Sequence, residues 1–273
     1  MSLSRSAVLG LLAEHGFRPS KRLGQNFVAD PNTVERVVRL AELPPSGTVV
    51  EIGAGLGSLT HALVSPGRPV VAVEVDERLV AILRAGPLDP SVEVVHGDAL
   101  RLDWTELLAD RPGPVVLIGN LPYSVATSVV VRVLEEAQAV ERLVVMVQRE
   151  VGERWVAGPG DPAYGAVSVK VAYWTEAALL GRVPPTVFVP QPKVESVLVR
   201  LVRRVRPAVD PSVVAYARLE AVVRAGFGQR RKMLRRSLAG TVEPEAFEAA
   251  GVAPSARAEE LGVEAWGELA RVR

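Results

Sequence analysis

Between Thr48 and Val147 short apolar runs alternate with amphipathic stretches, and this alternation is the strongest organising signal in the chain. The runs Thr48–Ile52, Pro69–Val75, Val92–Val95, Val115–Ile118 and Leu143–Val147 are rich in valine and nearly unbroken by polar residues, which predicts strands buried on both faces. Helical patterns fill the gaps between them. Strands of this kind separated by helices imply a parallel sheet covered on both sides, the doubly wound α/β architecture of Rossmann type. In such a sheet the functional edge lies at the carboxyl ends of the strands. Gly53 after the first run, Glu74 in the second, Asp98 after the third and Asn120 after the fourth all fall on that edge.

A loop is expected at Gly158-Pro159-Gly160-Asp161-Pro162, followed by a helix over Ser168–Trp174. Two further apolar runs, Ala177–Leu180 and Ser196–Val202, flank a proline-rich segment and could complete the sheet as a hairpin. From Asp210 the pattern is helical, with Phe227, Leu234 and Leu238 at helical spacing and Arg230, Arg231, Lys232, Arg235 and Arg236 around them. The expected organisation is a nucleoside-binding domain over 1–207 and a small helical domain over 208–273.

Composition narrows the class. The chain has 273 residues and no cysteine, so neither a disulfide framework nor a thiol nucleophile is available. It has no apolar run long enough for a membrane span and no signal-type start, and the expected location is cytoplasmic, without a membrane partner. The net charge of +1 hides a division: 16 basic and 21 acidic residues precede Gly181, whereas 16 basic and 10 acidic residues follow from it. Within Arg182–Arg236 there are 13 basic residues against the acids Glu195, Asp210 and Glu220. Such an excess suits a phosphate backbone, although a single charged run is commonly only a solvated face.

The segment Glu51-Ile52-Gly53-Ala54-Gly55-Leu56-Gly57-Ser58 joins the first strand to a helix, and its glycines permit close approach of backbone to a ligand. Glu74 follows Gly53 by 21 positions, where a carboxylate can accept from ribose hydroxyls. A nicotinamide dinucleotide would use a similar arrangement, but its fingerprint places the third glycine three positions after the second, and here Gly57 follows Gly55 by two. Asp98 is placed to accept from an adenine amine, or else caps a helix. S-adenosylmethionine, a sulfonium cation without a pyrophosphate, tolerates acidic groups around it.

Asn120-Leu121-Pro122-Tyr123 ends the fourth strand. Pro122 lacks an N–H and drives Leu121 to an extended conformation, leaving the Leu121 carbonyl free to accept. The Asn120 amide supplies a second acceptor. Together they suit the exocyclic amine of adenine, whose lone pair becomes nucleophilic when acceptors on its hydrogens favour a pyramidal nitrogen. Tyr123 offers a face for stacking, an interaction of about 1–3 kcal/mol per base. Phe188 lies between prolines and is either the opposite face of a base sandwich or a core plug. The four tryptophans suit packing, and His15, His61 and His96 are too scattered for a metal site, so no metal is expected.

These segments resemble the ribosomal RNA adenine dimethylase family, and within it the small-subunit ribosomal RNA N6,N6-dimethyltransferases. The resemblance begins at Lys21-Arg22-Leu23-Gly24-Gln25-Asn26-Phe27-Val28 and runs through the glycine loop, Glu74, Gly97-Asp98 and Gly119–Tyr123. It continues with Tyr164-Gly165, Val183-Pro184-Pro185, Phe188–Ser196 and Phe227–Lys232. The departures are Val28 for leucine, Glu195 for aspartate and Ser124-Val125 for asparagine-isoleucine. The resemblance implies a class I methyltransferase whose S-adenosylmethionine pocket is lined by Asn26, Val28, Gly53, Glu74, Asp98 and Asn120. It implies an adenine received by Asn120–Tyr123 and Phe188. The basic tract fits that substrate, and Arg230, Arg231, Lys232, Arg235 and Arg236 are expected to form an RNA-contacting helix. The implied partners are small-subunit ribosomal RNA and pre-small-subunit particles; a monomer is the default expectation. The sister group that methylates large-subunit RNA shares the cofactor loop but usually has isoleucine at the position of Leu121. A non-catalytic assembly factor on the same scaffold is the alternative from a different class.

Overall fold

The computed structural model describes residues 2–272. In chain order the elements are α1 (Arg5–Glu14), β1 (Phe27–Val28), α2 (Pro31–Ala41), β2 (Thr48–Ile52), α3 (Thr60–Leu63), β3 (Val70–Glu74), α4 (Glu77–Ala85), β4 (Val92–His96), α5 (Trp104–Leu108), β5 (Val115–Asn120), α6 (Ala126–Glu136) and β6 (Val140–Gln148). Then follow α7 (Arg149–Val156), α8 (Ala166–Trp174), β7 (Thr175–Val183), β8 (Phe188–Val189), β9 (Ser196–Arg203), α9 (Tyr216–Gly228), α10 (Leu234–Ser237), α11 (Pro244–Ala249) and α12 (Val263–Arg271).

The main sheet has seven strands in the order β4-β3-β2-β5-β6-β9-β7. Strands β2 to β6 pair in parallel and β9 runs antiparallel to β6. Strand order reverses between β2 and β5, which opens a crevice at their carboxyl ends. Both faces are covered. Val49, Val70, Val116, Ile118, Val144 and Met146 pack with Val34, Val37 and Ala41 of α2 on one face. Ala72 packs with Leu83 of α4 in a separate cluster. Three helices, α2, α4 and α5, start where aspartates supply side-chain caps: Asp30 accepts from the Thr33 N–H, Asp76 from the Arg78 N–H and Asp103 from the Glu106 N–H.

The two late apolar runs do join the sheet, but the later strand, β9, is the inner one and β7 forms the edge. The chain divides into two compact units, residues 1–152 with 178–202, and residues 153–177 with 203–273. The second unit therefore takes in α8 as well as the helices after 208. Its core holds Tyr164, Val169, Tyr173, Leu219, Val222, Leu234, Phe247 and Trp266. Within that unit the Tyr164 hydroxyl donates to the Leu261 carbonyl at 2.8 Å, and Lys170 pairs with Glu220. The basic tract is not one helix: α9 ends at Gly228, a turn follows, and α10 is a single turn. Glycines at 226 and 228, poor helix residues, mark that end.

Candidate functional site: an acidic cleft beside the acceptor turn

The crevice of the first unit is a cavity whose wall includes Asn26, Val28, Gly53, Glu74, Asp98, Asn120 and Pro122. Val8, Gln25, Glu51, Ser58 and Leu79 also line it. Gly53, Gly55 and Gly57 have φ of 77°, 58° and 84°, a region that only glycine occupies readily. A Cβ on Gly55 would meet the Phe27 ring at 3.0 Å, so the loop lies flush against β1.

Glu74, 5% exposed at the end of β3, braces this loop. Its Oε2 accepts from the Gly55 N–H at 2.8 Å, and its Oε1 accepts from Val75 and Asp76 N–H groups, both at 2.9 Å. Burial raises its pKa, opposed by these three hydrogen bonds. A carboxylate offers about four acceptor positions, so one remains for a ligand while the loop keeps this form. Glu51 is more deeply enclosed. Desolvation pushes it up to about 8 against the hydrogen bond that Thr60 Oγ1 donates at 2.5 Å, with the charge of Glu74 adding to the rise. Asp98 both lines the cleft and accepts from the Leu100 N–H at 2.9 Å, so the capping role and the wall position coexist.

No arginine, lysine or histidine lines the cleft among the described residues, whereas Glu51, Glu74 and Asp98 do. A pyrophosphate would meet carboxylates without a compensating cation. A nucleoside carrying a positive sulfur fits these groups. Among the described residues no three His, Cys, Asp or Glu side chains gather into a metal-holding group.

The acceptor turn abuts the cleft. The Asn120 Nδ2 donates to the Asn26 carbonyl at 2.7 Å. A carbonyl only accepts, so this contact orients the amide and leaves Oδ1 as the half available to the cleft. Asn26 Nδ2 in turn donates to the Gly24 carbonyl, and a Cβ on Gly24, whose φ is 64°, would meet Pro122 Cβ at 3.0 Å. The segment 24–28 is thus seated directly on the turn. The Leu121 N–H donates to Met146 while Pro122 accepts from Val125 and Ala126, and among the described residues nothing donates to the Leu121 carbonyl. The Tyr123 ring is half-buried, and its hydroxyl lies 2.8 Å from Ser196 Oγ.

Two expectations need correction. Phe188 is not presented to the cleft: it is fully buried, paired across β8 with Val28 and packed with Val34, Val37 and Leu198. The bridge to β1 draws the ring into the core, so the core-plug alternative describes this structure. Arg230 is not free either, since it pairs with Glu259 at 2.7 Å and donates to the Pro162 carbonyl. Arg231, Lys232, Arg235 and Arg236 are exposed and have no side-chain partner among the described residues. The reading by sequence missed Val8, Gln25 and Glu51. Gln25 adjoins Asn26 and donates to Asp76 at 3.0 Å, a role that its neighbour's prominence in the motif could have suggested. Val8 reaches the cleft from a helix that no sequence pattern tied to it.

Comparisons with known proteins agree with this geometry. The profile of the ribosomal RNA adenine dimethylase family matches residues 16–272. A protein of Kineococcus radiotolerans named ribosomal RNA small subunit methyltransferase A is 45% identical over 99% of this chain and 91% of its own. Among solved structures, the 23S rRNA methyltransferase ErmE superposes with a TM-score of 0.69 at 29% identity, covering 90% of this chain and 98% of its own. A dimethyladenosine transferase from Plasmodium falciparum has a TM-score of 0.72 at 21% identity, covering 88% and 94%, a likeness of fold. The acidic cleft, the acceptor turn beside it and the match along nearly the whole chain lead to one conclusion: this chain belongs to the ribosomal RNA adenine dimethylase family.

Proposed function

We propose that this enzyme transfers methyl groups from S-adenosylmethionine to the N6 amines of two adjacent adenosines near the 3′ end of small-subunit ribosomal RNA. The observation that carries the reading is the union of a cleft whose ionisable lining side chains, among the described residues, are all carboxyl groups with an asparagine whose donor half is held by the Asn26 carbonyl. Asn26, Val28, Gly53, Glu74, Asp98 and Asn120 hold the cofactor. Asn120 Oδ1 and the Leu121 carbonyl accept from the adenine amine, Pro122 keeps the turn extended, and Tyr123 stacks on the base. The chemistry needs no covalent intermediate. Acceptors placed beforehand orient the amine for in-line attack and stabilise positive charge developing on it.

Arg231, Lys232, Arg235 and Arg236 contact RNA phosphates from the second unit, and Arg230 shapes the loop that presents them. The substrate is the pre-small-subunit particle, and the protein acts as a monomer in the cytoplasm. Among the described residues no helix is long and apolar enough to cross a membrane. Small-subunit RNA is favoured over large-subunit RNA by identity: 45% to the small-subunit relative against 29% to the 23S enzyme.

Methyl incorporation from labelled S-adenosylmethionine into unmodified small-subunit particles, with large-subunit RNA in parallel and nucleoside analysis afterwards, tests the reading. Dimethyladenosine in the small-subunit RNA alone is the expected result. Label only in large-subunit RNA would replace the substrate, and no label would return the non-catalytic scaffold.

A further inference from the structure

The acceptor turn is held at its backbone by neighbours close in the fold: Leu121 by β6 and Pro122 by the start of α6. The Tyr123 ring extends beyond those anchors. Among the described residues its hydroxyl has one partner, Ser196 Oγ at 2.8 Å, which belongs to β9 and lies 73 positions away in sequence. Ser196 is itself fixed. It is fully buried, its backbone is in register opposite Gln148, and the preceding residue, Glu195, accepts from the Arg149 N–H and pairs with the Arg149 guanidinium at 3.7 Å. A rigid strand two places along the sheet from β5 therefore sets the angle of a half-buried ring on the acceptor loop. Phe188, enclosed in the core, leaves Tyr123 as the aromatic face beside Asn120, so the angle of this one ring matters more than it would in a sandwich.

We infer that Ser196 is a positioning residue for methyl transfer, fixing the plane of Tyr123 through the hydroxyl–hydroxyl bond so that a stacked adenine presents its amine to Asn120 and Leu121. This inference rests on the role proposed for Tyr123. It gives the Phe188–Ser196 segment a task at its far end that is separate from the burial of Phe188. The bond aligns the base rather than binding RNA, whose affinity comes mainly from phosphate contacts.

The experiment is a double-variant cycle with full-length protein, reading single-turnover methyl transfer, RNA Kd and cofactor Kd. Tyr123→Phe and Ser196→Ala remove the same bond from opposite ends. Each should slow transfer about five- to tenfold, the scale of one neutral hydrogen bond, with both Kd values unchanged. The double variant should be no slower than either single one. Additive losses, or single variants as fast as the parent, would overturn the inference. Tyr123→Ala separates this from the larger reading: slow transfer there, with fast Tyr123→Phe, keeps the stacking role and rejects Ser196. Near-normal transfer in Tyr123→Ala rejects both. Because Ser196 is buried and its truncation could loosen β9, Tyr123→Phe alone, at a half-buried site, also decides the matter if Ser196→Ala does not fold.

Discussion

The cleft of the first unit and the basic turn of the second show two ways in which a sequence can encode a candidate binding surface. In the cleft, Glu74 is buried and takes three backbone N–H groups, and Asn120 donates to the Asn26 carbonyl. On the turn, Arg231, Lys232, Arg235 and Arg236 stand in solvent with no partner among the described residues. Buried groups hold one geometry because a lost partner in low dielectric is costly, whereas solvated cations remain adaptable to the phosphates of an irregular RNA. The first region should therefore fail sharply on single changes and the second gradually.

The largest effect is expected at the junction of the two substrates. With Asn120 in the acceptor role proposed for it, Asn120→Ala should lower single-turnover transfer by roughly 10²-fold or more while RNA Kd stays within about twofold, because a preorganised polar group is lost. Near-normal transfer in a rapid-quench assay would move the chemistry away from Asn120.

Glu51 tests how firmly the cleft holds a charge. Its carboxyl is pushed up to about 8, above the ordinary 4.5 that it regains on unfolding, so between those values the folded protein binds more protons than the unfolded chain. Stability contributed by the protonated form is present below 4.5, declines as pH rises, and levels off above about 8. Without cofactor, urea unfolding at pH 6 and pH 9 should differ by roughly 2–3 kcal/mol on this account, and Glu51→Gln should remove most of that difference. An unchanged pH dependence in the variant would assign the loss of stability to other groups.

Replacing Arg231, Lys232 and Arg235 with alanine together should leave cofactor Kd intact and reduce the slope of log K for RNA against log salt by about two. A slope equal to that of the parent would show that these cations do not meet phosphates. The smallest effect belongs to Arg230→Ala: its partly exposed pair with Glu259 should contribute below about 1 kcal/mol to thermal stability, with little change in the salt slope.

The same contrast explains what could be read from the residues alone. Strands β2 to β5 are short valine-rich runs, each with a candidate site residue at or just past its carboxyl end, so Gly53, Glu74, Asp98 and Asn120 are placed on one edge by local pattern and chain topology. Phe188 escaped that reasoning because its fate depends on pairing with Val28, 160 positions earlier, and no local periodicity records such a bridge. The insertion of β9 between β6 and β7 is hidden in the same way. The break after α9 was readable in Gly226 and Gly228, but the apolar spacing of Phe227, Leu234 and Leu238 imitates a continuous helix across it. Residues 153–177 join the second unit through contacts such as Tyr164 with Leu261, which a linear boundary does not represent.

The cation-free wall of the cleft has a consequence for release. Where Glu74 and Asp98 carry charge they favour a donor whose sulfur is positive over the same molecule once that sulfur has become a neutral thioether, because Coulomb attraction scales with the charge present, while Glu51, pushed up to about 8, adds little near neutral pH. The wall thus weakens its own hold when a methyl group departs. A chain that must discharge one donor and admit another for every methyl added has, in an acidic wall that no basic side chain lines, a means of telling a fresh donor from a used one.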